Sequence, residues 1–475
     1  MRQDAQKQFV RIGEFRYMEL SEIAGACRGE LHIGSTAETE YEITGTVIDS
    51  RKVQPGNLFV ATKGERVDGH SFIPAAVEKG CAAVVCERKP ECDVTYILVQ
   101  DSFRALRDIA EYYRATLQIP IVGITGSVGK TSTKEFVASV LGQRFRTWKT
   151  PGNLNNEVGL PLTVLSIRPE HEAAVLEMGI SEFGEMHRLS KIARPNLAVI
   201  TNIGMCHLEN LKSRDGILRA KTEIFDYLSE DGRVFLCGDD DKLITVRDVK
   251  GRKPVFFGLG SGNEITAAGI VNRGLLGSNC TIRTPKGNFE VRIPLPGEHM
   301  VVNALAATAV GLKLGLSLEE IRSGIEAVQA VDGRSHVIET PNYTLIDDCY
   351  NANPVSMKAA IDLLKTADTR TVAVLGDMFE LGANECGLHA EVGTYAVDAG
   401  IQVLICTGKL CRFMYEAAEQ RKGSIGTGRT DIYYAEDRDA LLALLPGILQ
   451  KQDTILVKAS HSMGFEQVIS QLERL

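Results

Sequence analysis

At 475 residues, 44% of them hydrophobic, the chain is too long for one core and apolar enough to bury roughly two to four. Its formal net charge of −8 argues against nucleic acid as a partner, and no apolar run approaches the length of a membrane span. Eleven cysteines with no Cys-x-x-Cys argue against a disulfide frame or structural zinc, and Met1-Arg2-Gln3-Asp4 lacks the apolar core of a signal peptide, so a cytoplasmic protein is expected.

Residues 1–116 hold short strand candidates at 46–48, 58–61, 82–85 and 96–99, separated by turn signals such as Pro55-Gly56 and Asp68-Gly69. From 117 to 330, apolar runs at 121–125, 173–178, 197–201, 234–237 and 255–257 alternate with helical patterns. That alternation predicts a mainly parallel sheet flanked by helices. The pattern resets near Val331-Asp332-Gly333-Arg334. Residues 331–475 then repeat it, with runs at 344–346, 372–375, 403–406 and 454–457, as expected for a second, Rossmann-like α/β layer sandwich. No repeat or low-complexity tract interrupts the chain, so folded structure is expected throughout. The expected fold class is α/β in three blocks, 1–116, 117–330 and 331–475.

The second block opens with the most informative stretch. The β-branched run 121–125 enters the turn Gly126-Ser127-Val128-Gly129, which delivers Lys130 and Thr131 to a helix with an apolar stripe of Phe136, Val137, Val140 and Leu141. Glycines let successive backbone N–H groups surround a phosphate, and the helix N-terminus adds positive potential. Lys130 can reach terminal phosphates and the Thr131 hydroxyl suits Mg²⁺. The strict phosphate-loop pattern wants glycine at 124, where this chain has Ile124. The motif is therefore Gly-x-x-Gly-Lys-Thr in strand–turn–helix context, a nucleotide-binding signal.

Further candidates sit at strand ends. Glu177 closes the run 173–178 and either points into a ligand crevice or is a solvated strand-end carboxylate. His207 leaves the same sheet edge one strand later, as a ligand, a satisfied core histidine or a surface tip. Asp347-Asp348 ends the first strand expected in the third block and can cap the next turn, bind ribose hydroxyls or hold a basic group. Arg334, at the junction, either neutralises phosphoryl charge or is solvated. Over residues 215–228, Ile217, Leu218, Ile224, Phe225 and Leu228 define an apolar helical stripe with Lys221 in its middle. An ammonium there must snorkel, find an anion or lose its charge.

Together these residues resemble the Mur ligases, ATP-dependent amide-forming enzymes of peptidoglycan precursor assembly. The resemblance covers nearly the whole chain. In the first block, 49–61 and 64–70 resemble a uridine-nucleotide-binding domain. In the second, 125–131 is similar to the family's ATP loop, whose usual form also lacks glycine at the position of Ile124. Asn155-Asn156-Glu157-Val158-Gly159 and Thr201-Asn202-Ile203-Gly204 match further signatures, and 297–307 resembles the helix that reaches adenine. In the third, 350–357 and 375–382 resemble the dipeptide-adding branch. The sister enzyme's Asp-Tyr-Ala-His and Asp-Asn-Pro-Arg segments are missing here. One departure is the C-terminal Val457-Lys458-Ala459-Ser460-His461, where the family form is close to Val-Lys-Gly-Ser-Arg.

The resemblance implies a central P-loop ATPase-like domain between an N-terminal UDP-substrate domain and a C-terminal ligand-binding domain. It implies ATP held by Gly126, Ser127, Val128, Gly129, Lys130, Thr131, Ser132, Asn303, Arg334, Asp348 and Asn351. Two Mg²⁺ ions would be held by Thr131, Glu177, His207 and a carbamylated Lys221, and the UDP substrate by Ser50, Arg51, Asn155 and Asn156. Lys130, Lys221, His207 and Arg334 are the implied catalytic residues. The implied reaction joins D-alanyl-D-alanine to UDP-N-acetylmuramoyl tripeptide through an acyl phosphate. Alternatives are the sister ligase adding the third amino acid, a folylpolyglutamate synthase, a P-loop kinase or NTP switch, and a non-catalytic nucleotide-binding partner of cell-wall machinery.

Overall fold

The computed structural model describes residues 18–35, 43–64, 67–425 and 430–475. The N-terminal Met1-Arg2-Gln3-Asp4 and the Glu65-Arg66 pair of the uridine-type segment lie outside the described residues. Four sheets carry the described residues. The first runs in the order Glu30–His32, Tyr96–Leu98, Ala83–Cys86, Asn57–Val60, Gly45–Val47. Only Glu30–His32 pairs antiparallel; the other four strands are parallel. Ala83–Cys86 and Asn57–Val60 are buried at every position, as parallel strands covered on both faces must be. The helix Ser102–Thr116 covers one face with Leu106, Ile109, Ala110 and Tyr113 and starts on Asp101, whose carboxylate accepts the Arg104 N–H.

That helix also ties the first block to the second. Tyr113 donates its hydroxyl to the Ile167 carbonyl at 2.6 Å, and the buried Arg114 guanidinium donates to the carbonyls of Ala193, Leu117 and Arg194. With carbonyls rather than a carboxylate as partners, burial lowers the Arg114 pKa to about 10. One apolar cluster consequently runs without a break from Ile23 and Leu106 to Ile121 and Val310.

The central sheet is wholly parallel, in the order Val255–Phe257, Arg233–Cys237, Leu197–Ile200, Ile121–Thr125, Ala173–Glu177, Thr147–Lys149. Ile121–Thr125 lies between Ala173–Glu177 and Leu197–Ile200, so the carboxyl ends of all three open on one crevice at the point where the chain reverses direction across the sheet. Behind it, Lys130–Leu141 is clamped by Leu318–Glu326. A Cβ on Gly324 would lie 2.4 Å from Val140 Cα, so only glycine lets these two helices meet.

Three expectations need correction. The α/β alternation of the second block is interrupted by an antiparallel sheet, Thr266–Asn272, Ser278–Thr284 and Gly287–Ile293. Its period-two signal (Cys280 and Ile282, then Val291 and Ile293 buried) is short and weak in apolar residues. The helix expected over 215–228 is α-helical only over Arg214–Thr222 and tightens to a 3₁₀ turn at Glu223–Phe225. There the Thr222 hydroxyl donates back to the Leu218 and Arg219 carbonyls. In the third block Asp347 ends the second strand, because Thr344–Asp347 pairs antiparallel with a preceding His336–Glu339.

The third sheet order is His336–Glu339, Thr344–Asp347, Thr454–Lys458, Thr371–Gly376, Val403–Thr407, Asp431–Ala435. Apart from its first edge strand it is parallel, with an apolar cluster of its own on each face.

Candidate active site

The phosphate-loop candidate is shaped by the neighbouring strand's exit. Gly126 turns with φ +151°, and a Cβ there would lie 1.9 Å from Thr201 Oγ1. The Val128 carbonyl accepts the Thr201 hydroxyl at 2.6 Å and Asn202 Nδ2 at 3.0 Å, while Val128 N–H donates to Asn202 Oδ1 at 2.9 Å. Lys130 is the first residue of its helix, and its ammonium folds back on the carbonyls of Gly126 (2.9 Å) and Ser127 (3.4 Å). Burial lowers its pKa, opposed by the charge of Glu177.

Glu177 is not a solvated strand end, being 1% exposed. Its Oε1 accepts the Thr131 hydroxyl at 3.2 Å and Asn155 Nδ2 at 2.8 Å. Its Oε2 accepts no hydrogen bond among the described residues; the nearest cation is Lys134 Nζ at 3.7 Å. A buried carboxylate oxygen without a donor calls for further positive charge. Lys221 is also buried, at 1% exposure, so it does not snorkel. Burial first, and the neighbouring Lys130 charge next, lower its pKa to about 7. His207 faces both lysines. Burial lowers its pKa, with Lys221 and Lys130 acting in the same sense and Glu380 against them.

The third block closes the crevice. Arg334 Nη2 donates to Thr131 Oγ1 at 3.3 Å, and its guanidinium stacks 3.8 Å over the Tyr350 ring, so it is not a merely solvated arginine. Tyr350 stacks in turn on His461, with ring centroids 5.2 Å apart. Of the alternatives for the acidic pair, Asp348 holds a basic group: its Oδ2 accepts Lys458 Nζ at 2.5 Å, and its Oδ1 accepts the Ser335 N–H at 3.0 Å. Ala459 of the departing segment is buried against Gly376, where an added Cβ would lie 2.6 Å from the Ala459 Cβ.

A cavity of about 890 Å³ gathers Ser127, Val128, Gly129, Lys130, Thr131, Ser132, Asn155, Asn156, Glu177, His207 and Asn303 with Arg334, Asp348 and Asn351 of the third block. Gly126 and Lys221 are not among its lining residues; Gly126 forms the turn, and Lys221 feels the charge of Lys130 while its own charge acts on His207. Ser50 and Arg51 are not brought to the cavity. They lie in the first block's 3₁₀ turn Ser50–Lys52, where Arg51 pairs with Asp49 and draws that carboxyl down to about 2. Sequence reasoning gave Lys134 no role, and it quoted Asn202, Lys458 and Glu380 only inside longer segments, with no individual role. Lys134 had a signal, falling one helical turn after Lys130; the pairing of Lys458 with Asp348 spans 110 residues and had none.

Three family models match this chain: the Mur ligase middle domain over residues 124–311, the Mur ligase glutamate ligase domain over 333–461, and the Mur ligase family catalytic domain over 42–120. The UDP-N-acetylmuramoyl-tripeptide–D-alanyl-D-alanine ligase of Bacillus subtilis is 38% identical over 454 residues, 93% of this chain and 96% of its own. The chain belongs to the Mur ligase family. Its three-domain fold matches a crystal structure of MurF from Acinetobacter baumannii with a TM-score of 0.87 at 32% identity, covering 97% of this chain and 100% of the other. MurF from Thermotoga maritima in complex with ADP matches with a TM-score of 0.77 at 30% identity, covering 91% and 97%. In this Mur ligase the cavity is thus assembled by the carboxyl edge of the central sheet and a facing domain.

Lys221 makes folding pH-dependent. Its folded pKa lies below the unfolded value of 10.5, so its burial costs stability in full below about pH 7, and the cost fades as pH rises toward 10.5. Lys221→Met should therefore gain more stability at pH 6 than at pH 9, by on the order of 2 kcal/mol, in denaturant titrations in bicarbonate-free buffer. A gain independent of pH over that range would refute the buried ammonium.

Proposed function

We propose that this Mur ligase uses ATP to join D-alanyl-D-alanine to UDP-N-acetylmuramoyl tripeptide, releasing ADP and phosphate. The observation that carries this is the joint lining of one cavity by the phosphate loop and by Arg334, Asp348 and Asn351 of the third block. It is supported by the activity named for the 38%-identical relative. A carboxylate and an ammonium do not condense directly, because hydroxide would have to leave. The tripeptide carboxylate attacks the γ-phosphorus of ATP to give an acyl phosphate and ADP; the dipeptide amine then attacks the acyl carbon and phosphate departs. Two anions meet in the first step, so positioning and charge neutralisation carry the catalysis. Lys130 and Arg334 spread the phosphoryl charge, as supported by their approach to the loop carbonyls and to Thr131. Gly126 to Ser132, with Asn303, Asp348 and Asn351, hold the nucleotide; Ser50 and Arg51, with Asn155 and Asn156, hold the UDP-linked peptide. The domain limits that suit this division are 1–116, 117–330 and 331–475.

The donor set fits Mg²⁺. Thr131, Glu177 and His207 offer hydroxyl, carboxylate and imidazole, and the unpartnered Glu177 oxygen supports a cation there. Bound Mg²⁺ would offset phosphate charge and align the reacting groups. A second ion needs another anionic oxygen, which a carbamylated Lys221 would supply: with its pKa near 7 the amine is substantially neutral at physiological pH and can add CO₂ with loss of a proton. Unpaired cysteines throughout support a cytoplasmic setting, and no described helix is long and apolar enough to cross a membrane.

Purified protein given ATP, UDP-N-acetylmuramoyl tripeptide and D-alanyl-D-alanine should form an amide with one ADP per bond, and should use free lysine or diaminopimelate with UDP-muramoyl dipeptide far less well. Preference for the diamino acid would move the chain to the sister activity, and ADP without an amide to a kinase or NTP switch. Lys221→Ala should lose ligation by about 100-fold or more, with partial recovery on adding acetate or in Lys221→Glu. An alanine variant with near-normal turnover would remove the carbamate.

A further inference from the structure

Glu380 has no role in the account so far. It belongs to the third block, in the loop after the strand Thr371–Gly376, yet its Oε2 lies 2.8 Å from Nδ1 of His207 in the second. The loop is held so as to aim it. Asp377 Oδ1 accepts the Cys411 N–H at 2.7 Å, Met378 N–H donates to His389 Nε2 at 2.9 Å, and Phe379 N–H donates to Ser460 Oγ at 3.0 Å. The His389 ring is fixed in turn by its Nδ1 on the Glu385 carbonyl at 2.7 Å. Asp377, His389 and Cys411 bring potential metal-ligand atoms within 4.8 Å of one another. With both imidazole nitrogens already engaged, however, the trio is an anchor for this loop and not a cation site. Beyond these anchors Glu380 takes φ +62°, and its partner His207 takes φ +49°. Such conformations are uncommon outside glycine and persist where surrounding structure imposes them. Eight described non-glycine residues have positive φ, and two of them face each other here. The Glu380 side chain is 63% exposed, so the core does not require the pair.

We infer that Glu380 is a positioning residue that orients His207 for metal binding, and that it does so only while the third block is docked on the second. This rests on His207 being a Mg²⁺ ligand, as proposed above. An imidazole that ligates through one nitrogen characteristically presents its other N–H to a carboxylate, which sets the tautomer and the ring angle. Nδ1 on Glu380 leaves Nε2 as the ligating nitrogen, and His207 lines the cavity. Because the carboxylate arrives from another domain, docking and metal affinity become linked: whatever favours the docked arrangement tightens the metal, and the metal favours docking in return. Arg334, also of the third block, touches Thr131, a second proposed ligand, so both crossing contacts converge on the same site.

The test is Mn²⁺ affinity, read by electron paramagnetic resonance on the full-length enzyme with a non-hydrolysable ATP analogue. Glu380→Ala should weaken Mn²⁺ binding by about 10-fold or more with an unchanged melting temperature, Glu380→Asp should recover part of it, and adding Glu380→Ala to His207→Ala should cause no further loss. The inference is overturned if Glu380→Ala binds Mn²⁺ within about twofold of the wild type, or if it weakens binding equally in the His207→Ala background. Glu177→Ala and His207→Ala separate the two levels. Wild-type affinity in both would remove the metal assignment itself, and this inference with it. Loss in both, with none in Glu380→Ala, would overturn the positioning role alone.

Discussion

Two anions must be brought into contact by a chain whose own formal charge is −8. The site meets that constraint by concentrating cations where water is scarce. Lys134 is buried, Lys130 is half-buried against its own loop, and Arg334 enters from the opposite side. Burial lowers the pKa values of Lys130 and Lys221 and costs folding stability, and positive charge in such surroundings attracts phosphate and carboxylate groups strongly when they arrive. Glu177 is the counterweight. It is held by Thr131 and Asn155, with one oxygen left without a donor.

The architecture divides this task between two bodies. The first and second blocks share a continuous apolar core and are pinned together by Tyr113 and Arg114, so the phosphate loop and the first block's turn at Ser50–Lys52 rest on one support. The third block keeps its own core on each face of its sheet and contributes to the crevice by reaching across, through Arg334, through Asp348 with Lys458, and through Glu380. A reaction with three substrates suits such a division, because the groups that complete the site travel with a separate domain.

What the sequence made legible follows from the range of the interactions involved. The strand–turn–helix of the phosphate loop is local, and it stands where the period and the glycines put it. The place of Lys221 in an apolar stripe was readable from a 3.6-residue period, but its full burial in place of snorkelling was not; nor was the helix's early end at Thr222, which depends on one hydroxyl competing for backbone carbonyls. The antiparallel sheet at 266–293 escaped notice because its half-exposed strands carry few apolar residues. Pairs joined only by the fold were invisible: Lys458 with Asp348, Glu380 with His207, and the stack of Arg334, Tyr350 and His461. In that stack an imidazole stands where the family form has arginine, and it packs on an aromatic face.

The account's central claim is that the tripeptide carboxylate is phosphorylated before the amide forms. UDP-N-acetylmuramoyl tripeptide labelled with ¹⁸O in its reacting carboxylate, turned over with ATP and D-alanyl-D-alanine, tests this by mass spectrometry of the released phosphate. The account predicts one ¹⁸O atom in each phosphate, left behind when the amine displaces the acyl phosphate. Amide formation with unlabelled phosphate would contradict it.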